Sequence, residues 1–198
     1  RTRQYASEIV RVPENEGGGA FFWNGADAVI TGCTFTSCVS YGDGGSISVR
    51  NDETGVIGIA ADVNRGQSLL TITDTTISSS SADDDGGSIL LSGDAVMTAT
   101  GLTITDSRAN QTGGAIRIGV GAQATLTDAA ISGATVLEGD GGAINNDGSL
   151  TVVSSSLVGD AKRYGGCLAN KGVATLSAGT TLAGCRAGTG GGAMYVDG

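Results

Sequence analysis

The chain lacks histidine altogether and has a single proline among its 198 residues, while aromatic residues make up only 4% and charged residues 16%. The absence of histidine excludes the catalytic triads, general bases and zinc sites that depend on an imidazole. Basic residues are scarce, with 11 against 20 acidic ones and a formal net charge of −9. Nucleic acid and anionic membrane surfaces require a basic face, so neither is expected as a partner. No apolar run is long enough to cross a bilayer, and we predict no membrane span.

Cysteine is also infrequent, and its four positions do not have the paired CxxC spacing of a metal site. Cys33 and Cys38 fall within one repeat, and Cys167 and Cys185 nearly share another. Spacing does not decide between disulfides and small buried thiols, because a disulfide needs Cα atoms within about 7 Å. The sequence begins at Arg1 rather than Met, so we expect a processed product or a piece of a longer protein.

Glycine is abundant, with 35 residues, and much of it recurs in a regular pattern. A tetrad of two glycines, a small residue and an apolar residue occurs seven times, with first glycines 26, 42, 27, 28, 24 and 26 residues apart. The tetrads begin at Gly18, Gly44, Gly86, Gly113, Gly141, Gly165 and Gly191. A fixed period of this length is typical of solenoid repeats.

Two further apolar positions keep step with the tetrads. About nine residues before each tetrad lie Ile9, Phe35, Ile77, Ile104, Ile131, Leu157 and Leu182. Five or six residues earlier lie Ile30, Ile72, Ala99, Leu126, Val152 and Leu176. Each period thus holds three short segments of alternating apolar and polar residues separated by turn residues, which predicts strands.

Three strands in a period of roughly 26 residues predict one rung of a right-handed parallel β-helix, an all-β solenoid. We predict one domain over residues 1–198 with about seven rungs. Double glycines fit corners that need positive φ or close backbone approach. The predicted corners are Gly44, Gly45, Gly86, Gly87, Gly113, Gly114, Gly141 and Gly142. The one long interval indicates an insertion at residues 51–66, which we expect to leave the rung as a protruding loop.

The tetrads, each preceded by an apolar residue with a small residue three positions later, resemble the GGAI and FxxN repeats of polymorphic outer membrane proteins. Those repeats form β-helical passenger domains of bacterial autotransporters. The GGAI half is well kept, whereas the second half ends differently, as in Phe35-x-x-Cys38 and Ile104-x-x-Ser107. The resemblance implies a secreted or surface-displayed protein used for adhesion or construction, and it implies no catalytic residue.

Aspartates directly precede several double glycines, namely Asp43, Asp140 and the run from Asp83 to Asp85. β-Helical polysaccharide lyases use clustered aspartates to hold calcium and an acidic sugar, with arginine or lysine as the base. No arginine ladder accompanies the aspartates here, and turns favour aspartate for its backbone hydrogen bonds. We therefore expect solvated turn residues, and we predict no catalytic residue, metal site or cofactor.

Hydroxyl-bearing residues form a second pattern, because Thr-x-Thr recurs on one predicted strand. Outward threonine rows on a flat sheet resemble the ice-binding faces of β-helical antifreeze proteins, although threonine is also an ordinary solvent-facing strand residue. Glycosylation is a further interpretation, since Asn110 lies in the one N-x-S/T sequon and hydroxyls carry O-linked sugar. The hydroxyl candidates are Thr71, Thr73, Thr98, Thr100, Thr125, Thr127, Ser79 and Ser80.

The two ends of the chain suggest self-association. The last tetrad begins a rung whose other two strands are missing, whereas residues 1–9 occupy second-strand and third-strand positions. Unpaired strand edges template pairing with another chain, and a head-to-tail contact between unlike faces grows as an open filament. We predict a head-to-tail homopolymer with contacts at Arg3, Tyr5, Ile9, Met194, Tyr195 and Val196.

These features together favour a non-enzymatic structural or adhesive protein, extracellular or on the cell surface, that assembles into a fibre and is a candidate for glycosylation. Its predicted partners are further copies of the chain, with carbohydrate or a cell-surface receptor as a second class. An ice-binding β-helix is the first alternative, and a polysaccharide lyase-like enzyme is the second.

Overall fold

The computed structural model describes residues 18–23, 25–51, 66–177 and 179–197. These residues form about six turns of a parallel β-solenoid, with strands in every turn and no helix in the described part of the chain. The prediction of an all-β parallel solenoid is therefore confirmed. The strands, numbered β1 to β23 in chain order, make up three parallel sheets that run along the solenoid.

The first sheet holds the strands that follow the double glycines, β1 Ala20–Trp23, β5 Ile47–Asn51, β9 Ile89–Gly93, β13 Ile116–Ile118, β16 Ile144–Asn146, β19 Leu168–Asn170 and β23 Met194–Val196. The second sheet holds β2 Asp27–Thr31, β6 Leu69–Thr73, β10 Val96–Thr100, β14 Gln123–Thr127, β17 Ser149–Val153 and β20 Val173–Leu176. The third sheet holds β3 Thr34–Thr36, β4 Val39–Ser40, β7 Thr76–Ser78, β8 Ser81–Ala82, β11 Thr103–Thr105, β12 Arg108–Ala109, β15 Ala130–Val136, β18 Ser156–Ala161, β21 Thr181–Leu182 and β22 Arg186–Ala187.

The predicted inward positions stack directly above one another. In the second sheet the register joins Ile30, Ile72, Ala99, Leu126, Val152 and Leu176. In the third sheet it joins Phe35, Ile77, Ile104, Ile131, Leu157 and Leu182. All of these belong to, or pack against, one continuous hydrophobic core. Burying each large aliphatic side chain contributes roughly 1.5–3 kcal/mol, so the ladders are the main source of stability.

The two glycines of each tetrad meet different physical requirements. The first glycine has a left-handed backbone, with φ of 62° at Gly44, 64° at Gly86 and Gly113, and 73° at Gly141. The second glycine allows close approach of adjacent turns: a Cβ atom on Gly45, Gly87, Gly114 or Gly142 would lie 2.1 Å from the carbonyl oxygen of the equivalent glycine in the next turn. Both positions therefore exclude larger residues, one through conformation and the other through space.

The first tetrad was predicted one residue too late. Ala20 pairs with Ile47, and the backbone N–H of Gly19 donates to the carbonyl of Ser46. Gly18, Gly19 and Ala20 therefore align with Gly45, Ser46 and Ile47, and Phe21 points outward rather than filling the apolar tetrad position. A run of three glycines, residues 17–19, allowed either alignment, and Phe22 rather than Phe21 packs against the core.

The long interval between the second and third tetrads falls between β5 and β6. The side-chain amide of Asn51 donates to the carbonyl of Gly66 at 3.3 Å, so the two ends of the interval lie side by side. Residues 52–65, which make up most of the predicted insertion at 51–66, lie outside the described residues.

Candidate functional site

The outer face of the second sheet carries the predicted threonine rows in register. One row contains Thr71, Thr98, Thr125, Thr151 and Thr175 in successive turns, and the adjacent row contains Thr31, Thr73, Thr100 and Thr127. Thr71, Thr98 and Thr100 are exposed, whereas Thr73, Thr125 and Thr127 are half-buried. Because all six point away from the core, they form one continuous hydroxyl surface along the solenoid.

A second hydroxyl surface lies on the neighbouring third sheet, and sequence reasoning missed it. Its rows contain Thr34, Thr76 and Thr103, and next to them Thr36, Ser78, Thr105 and Ser132. The hydroxyl of Ser78 donates to Thr36 Oγ1 at 3.2 Å, which links two successive turns. The sequence pattern that could have revealed it is Thr-x-Thr or Thr-x-Ser, one strand further along each repeat. Hydroxyl side chains therefore cover the outer faces of two sheets rather than one.

The glycosylation candidates differ in accessibility. Ser79 is exposed with φ of 53°, whereas the neighbouring Ser80 is 1% exposed and its hydroxyl is hydrogen-bonded to Ser46 Oγ at 2.6 Å. Ser80 was therefore wrongly chosen as an acceptor, because the positive φ at Ser79 breaks the alternation and turns the Ser80 side chain into the solenoid. Asn110 is half-buried, and the Thr112 hydroxyl of its sequon donates to Asp85 Oδ1 at 2.7 Å.

The expectation of solvated turn residues was wrong for Asp43, Asp85 and Asp140, which pair with arginines, whereas Asp83 is exposed as expected. Asp43 forms a salt bridge with Arg50, and Asp85 lies 3.6 Å from Arg117 Nε. Asp140, almost fully buried, lies 3.8 Å from Arg163. The arginines that reach these carboxylates lie in the first sheet and at the following corner, 7 to 32 residues away in sequence. The ion pairs therefore could not be predicted from an arginine pattern next to the aspartates.

Arg117 is the centre of the most extensive of these clusters. Its guanidinium donates to Asn145 Oδ1 at 2.8 Å, to Asp147 Oδ2 at 2.5 Å and to the carbonyl of Ile118 at 2.9 Å. Together with Asp85 these contacts join three successive turns on the outer face of the first sheet. A guanidinium with this many acceptors is held as a cross-turn brace, because each charge-assisted hydrogen bond fixes its orientation.

Burial shifts the pKa of one of the aspartates that precede the double glycines. Removal from water raises the pKa of the Asp43 carboxyl above its ordinary value of 3.8, and the nearby Asp85 and Asp84 carboxylates raise it further. The N–H of Asp85, which donates to Asp43 Oδ1 at 3.0 Å, and the Arg50 guanidinium act in the opposite direction. Among the described residues no group of three or more acidic or cysteine side chains is arranged to hold a metal ion.

The last turn, defined as strands β20 to β23 at residues 173–196, carries the predicted self-association residues that the structure describes. Met194 is 43% and Val196 60% exposed, whereas the aligned inward residues Leu168 and Asn170 are buried. Tyr195 stacks on Tyr164 with ring centroids 4.5 Å apart. The other candidates, Arg3, Tyr5 and Ile9, lie outside the described residues.

The four cysteines divide into one bonded pair and two free thiols. Cys167 and Cys185 form a disulfide with Cα atoms 5.3 Å apart. Cys33 is exposed and Cys38 half-buried, and both are free. The sequence alone left this open, because residues 18 positions apart become neighbours only when one turn stacks on the next.

Comparison with known proteins adds no relative. No protein-family model, no curated protein and no solved structure matches the chain. The specific resemblance to polymorphic outer membrane repeats therefore has no family match behind it, while the solenoid itself is clear from the strand register. The part of the chain that the structure describes contains no helix long and apolar enough to cross a membrane.

Proposed function

We propose that the chain is a non-enzymatic, extracellular structural or adhesive β-solenoid that stacks end to end with further copies of itself. The observation that carries the proposal is the contrast at the last turn. Leu182 is only partly buried there, whereas Leu157, directly beneath it in the same ladder, is fully buried. Apolar surface that another turn would cover is thus concentrated at one end of the described solenoid.

Strand pairing supplies the chemistry of the contact. Among the described strands of the first sheet, β23 is paired only with β19, and β1 at the other side is paired only with β5. Unpaired backbone donors and acceptors on such edges favour the addition of another strand. Because the two edges belong to opposite ends of the solenoid, their contact is heterologous and continues as an open filament.

The disulfide supports the extracellular part of the proposal. Disulfides persist in oxidising compartments and are rare in the cytosol, where thiols are kept reduced. The Cys167–Cys185 bond therefore agrees with secretion or surface display, as does a surface of small hydroxyl side chains that can carry glycans.

The non-enzymatic part rests on how the charged residues are used. Arg117 has its guanidinium engaged by an amide, a carboxylate and a carbonyl. A guanidinium held in this way is a poor base for abstracting a sugar proton, which needs a free lone pair. An absorbance assay for unsaturated products on pectin and alginate should show no activity, and sustained product formation would contradict the proposal.

Light scattering coupled to size-exclusion chromatography tests the assembly directly. We expect the mass of the 198-residue chain to increase with concentration and filaments to be visible by electron microscopy. Val196→Asp should abolish the increase by placing a charge on the β23 edge. Val120→Asp is the matched control, because Val120 is 77% exposed in a middle turn, away from both ends of the described solenoid. A stable monomer at high concentration would contradict self-association.

The threonine rows favour ice binding as a second candidate. Five threonines of one row and four of the next are in register on a single parallel sheet, which gives a regular spacing of hydroxyls and methyls about 4.8 Å apart. Inhibition of ice recrystallisation by the purified chain, lost in Thr98→Tyr and retained in Thr103→Tyr on the third sheet, would support it. No inhibition by the unmodified chain would remove it.

A further inference from the structure

At one corner of the solenoid, two buried side chains face each other, and an equivalent pair recurs in successive turns. The first member is the third residue of a glycine tetrad, and the second lies three residues after the inward residue of the third sheet. Ser46 and Ser80 occupy these places with hydroxyl oxygens 2.6 Å apart, and Ser88 and Ser107 are hydrogen-bonded in the same way one turn later. All four serines are at most 1% exposed. We call this arrangement the corner pair.

The disulfide occupies the corner pair of the last turn. Cys167 is the third residue of its tetrad, and Cys185 follows Leu182 by three positions. Their bond therefore replaces the serine–serine hydrogen bond of earlier turns at an equivalent place. Of the two turns between, one has Ala115 and Ala134 at these places, both buried, and the other has Ala143 and Gly159, which the strand register aligns with Ala134. The same backbone geometry thus accepts a hydrogen bond, an apolar contact or a covalent bond.

The last turn depends on this bond more than any middle turn would. Its third-sheet strands β21 and β22 have two residues each, and Leu182 is incompletely buried. Arg186 lies 4.0 Å from Asp160, but the two side chains are 83% and 49% exposed, and exposed ion pairs contribute little. The disulfide is therefore the strongest described side-chain link between this segment and the preceding turn, because Cys185 lies between β21 and β22 and Cys167 directly precedes β19.

We propose that the Cys167–Cys185 corner pair is a redox-sensitive staple that holds the last turn in register. A dithiol reductant supplies two electrons and two protons, the S–S bond breaks, and two S–H bonds form. Cys185 is half-buried and gives the reductant access, whereas Cys167 is fully buried. Reduction releases β21 to β23 while the middle turns stay folded. Loss of end-to-end assembly on reduction also follows, and that consequence alone rests on the proposed function.

Hydrogen exchange followed by mass spectrometry tests the staple in the full chain. Cys33→Ser/Cys38→Ser serves as the background, so that only one disulfide responds to dithiothreitol. We expect exchange at residues 181–197 to become on the order of 10- to 100-fold faster after reduction, as for removal of a short-loop disulfide. Exchange at residues 96–136 should not change. Equal exchange before and after reduction, with both thiols shown to be free, would overturn the proposal, as would unfolding of the whole chain.

Two variants separate the staple from general stability. Cys167→Ser/Cys185→Ser should fold, its amide hydrogens should exchange as fast as those of the reduced chain, and dithiothreitol should not change that rate. Ser88→Cys/Ser107→Cys should form a second disulfide in oxidised glutathione, which accepts the two electrons and two protons and leaves as two reduced glutathione molecules, and reducing this disulfide should leave exchange in that turn unchanged. Failure of this bond to form would refute the equivalence of the corner pairs. If reduction alters exchange while the chain never assembles, the proposed function fails and the staple stands.

Discussion

The middle turns and the last turn present the same repeat in two different environments. In the third sheet Ile104, Ile131 and Leu157 are at most 1% exposed, whereas Leu182 in the last turn, at the same place in the ladder, is only partly buried. The difference lies in the neighbours, because a middle rung is covered on both sides and the last described rung on one. Solenoid stability is therefore a sum of rung and interface contributions, and it weakens where an interface is missing.

The largest expected effect on stability comes from placing a carboxylate at Ile131, in a middle turn, and at Leu182, the equivalent position in the last turn. Ile131→Asp should prevent folding, because an unpaired buried carboxylate costs several kcal/mol, about 4 or more at a sealed site. Leu182→Asp should leave a folded solenoid with a loosened last turn. Circular dichroism during thermal unfolding distinguishes the two outcomes. A cooperative, folded Ile131→Asp variant would show that the inward register is wrong.

The second glycine of the tetrad gives the next largest contrast. A Cβ atom at Gly142 would lie 2.1 Å from the carbonyl oxygen of Gly166, whereas at Gly192 the nearest atom, the carbonyl oxygen of Cys185, is 3.8 Å away. Gly142→Ala should destabilise by about 3 kcal/mol, within the range for overpacking, and Gly114→Val by more. Gly192→Ala should be nearly neutral. Urea unfolding measures the free energy of unfolding of each variant. Equal losses in Gly142→Ala and Gly192→Ala would mean that neighbouring turns do not set the requirement for glycine.

Charge pairing differs between the same two regions. The side chain of Arg117 is 16% exposed and contacts Asp85 and Asp147, whereas that of Arg186 in the last turn is 83% exposed. Arg117→Met should cost roughly 1–3 kcal/mol, because it leaves partly buried carboxylates without their partner. Arg186→Met should change the free energy of unfolding by less than about 0.5 kcal/mol. A neutral Arg117→Met would mean that the cross-turn brace does not stabilise the fold.

The smallest effect is expected at the other end of the described solenoid, where burial raises the pKa of Asp43. A carboxyl with a raised folded-state pKa stabilises the fold below its unfolded value of about 3.8 and loses that contribution as the pH rises through the folded-state pKa. Asp43→Asn removes the charge and keeps an acceptor for the Asp85 N–H. Its stability relative to the unmodified chain should therefore rise by less than about 1 kcal/mol between about pH 3 and pH 7.

Asp160→Asn in the half-exposed pair with Arg186 is the control for this pH series. It reports the pH dependence that follows from loss of a carboxylate whose side chain is 49% exposed, and this dependence is subtracted from that of Asp43→Asn. A fall in the relative stability of Asp43→Asn with increasing pH would mean that attraction to Arg50 outweighs the cost of burial at Asp43.

Much of the solenoid could be predicted because its repeat is local. The inward ladders, the double-glycine corners and the outward threonines all follow from alternation within one period, and each lies in the predicted place. The first tetrad was misplaced because three consecutive glycines offer two alignments that composition cannot separate. Ser80 was misassigned as an accessible hydroxyl because its orientation depends on the tight corner at Ser79, where φ is positive.

The candidate site was less predictable than the fold. The arginine partners of Asp43, Asp85 and Asp140 belong to neighbouring strands and corners, so no contiguous motif contains both charges. The stacking of Tyr195 on Tyr164 likewise joins residues 31 positions apart. In each case the relevant distance is the separation of turns along the solenoid rather than the separation of residues along the chain.

The sequence by itself determined the period, the alternation of inward and outward residues and the position of the corners, because each depends on the chemistry of one residue and its immediate neighbours. Only the tertiary structure decided which carboxylate meets which arginine, which cysteines bond and which hydroxyls are buried. Those outcomes depend on the register between turns, which is set by how the whole ladder of side chains packs, and a one-residue slip in register would exchange the core face for the solvent face.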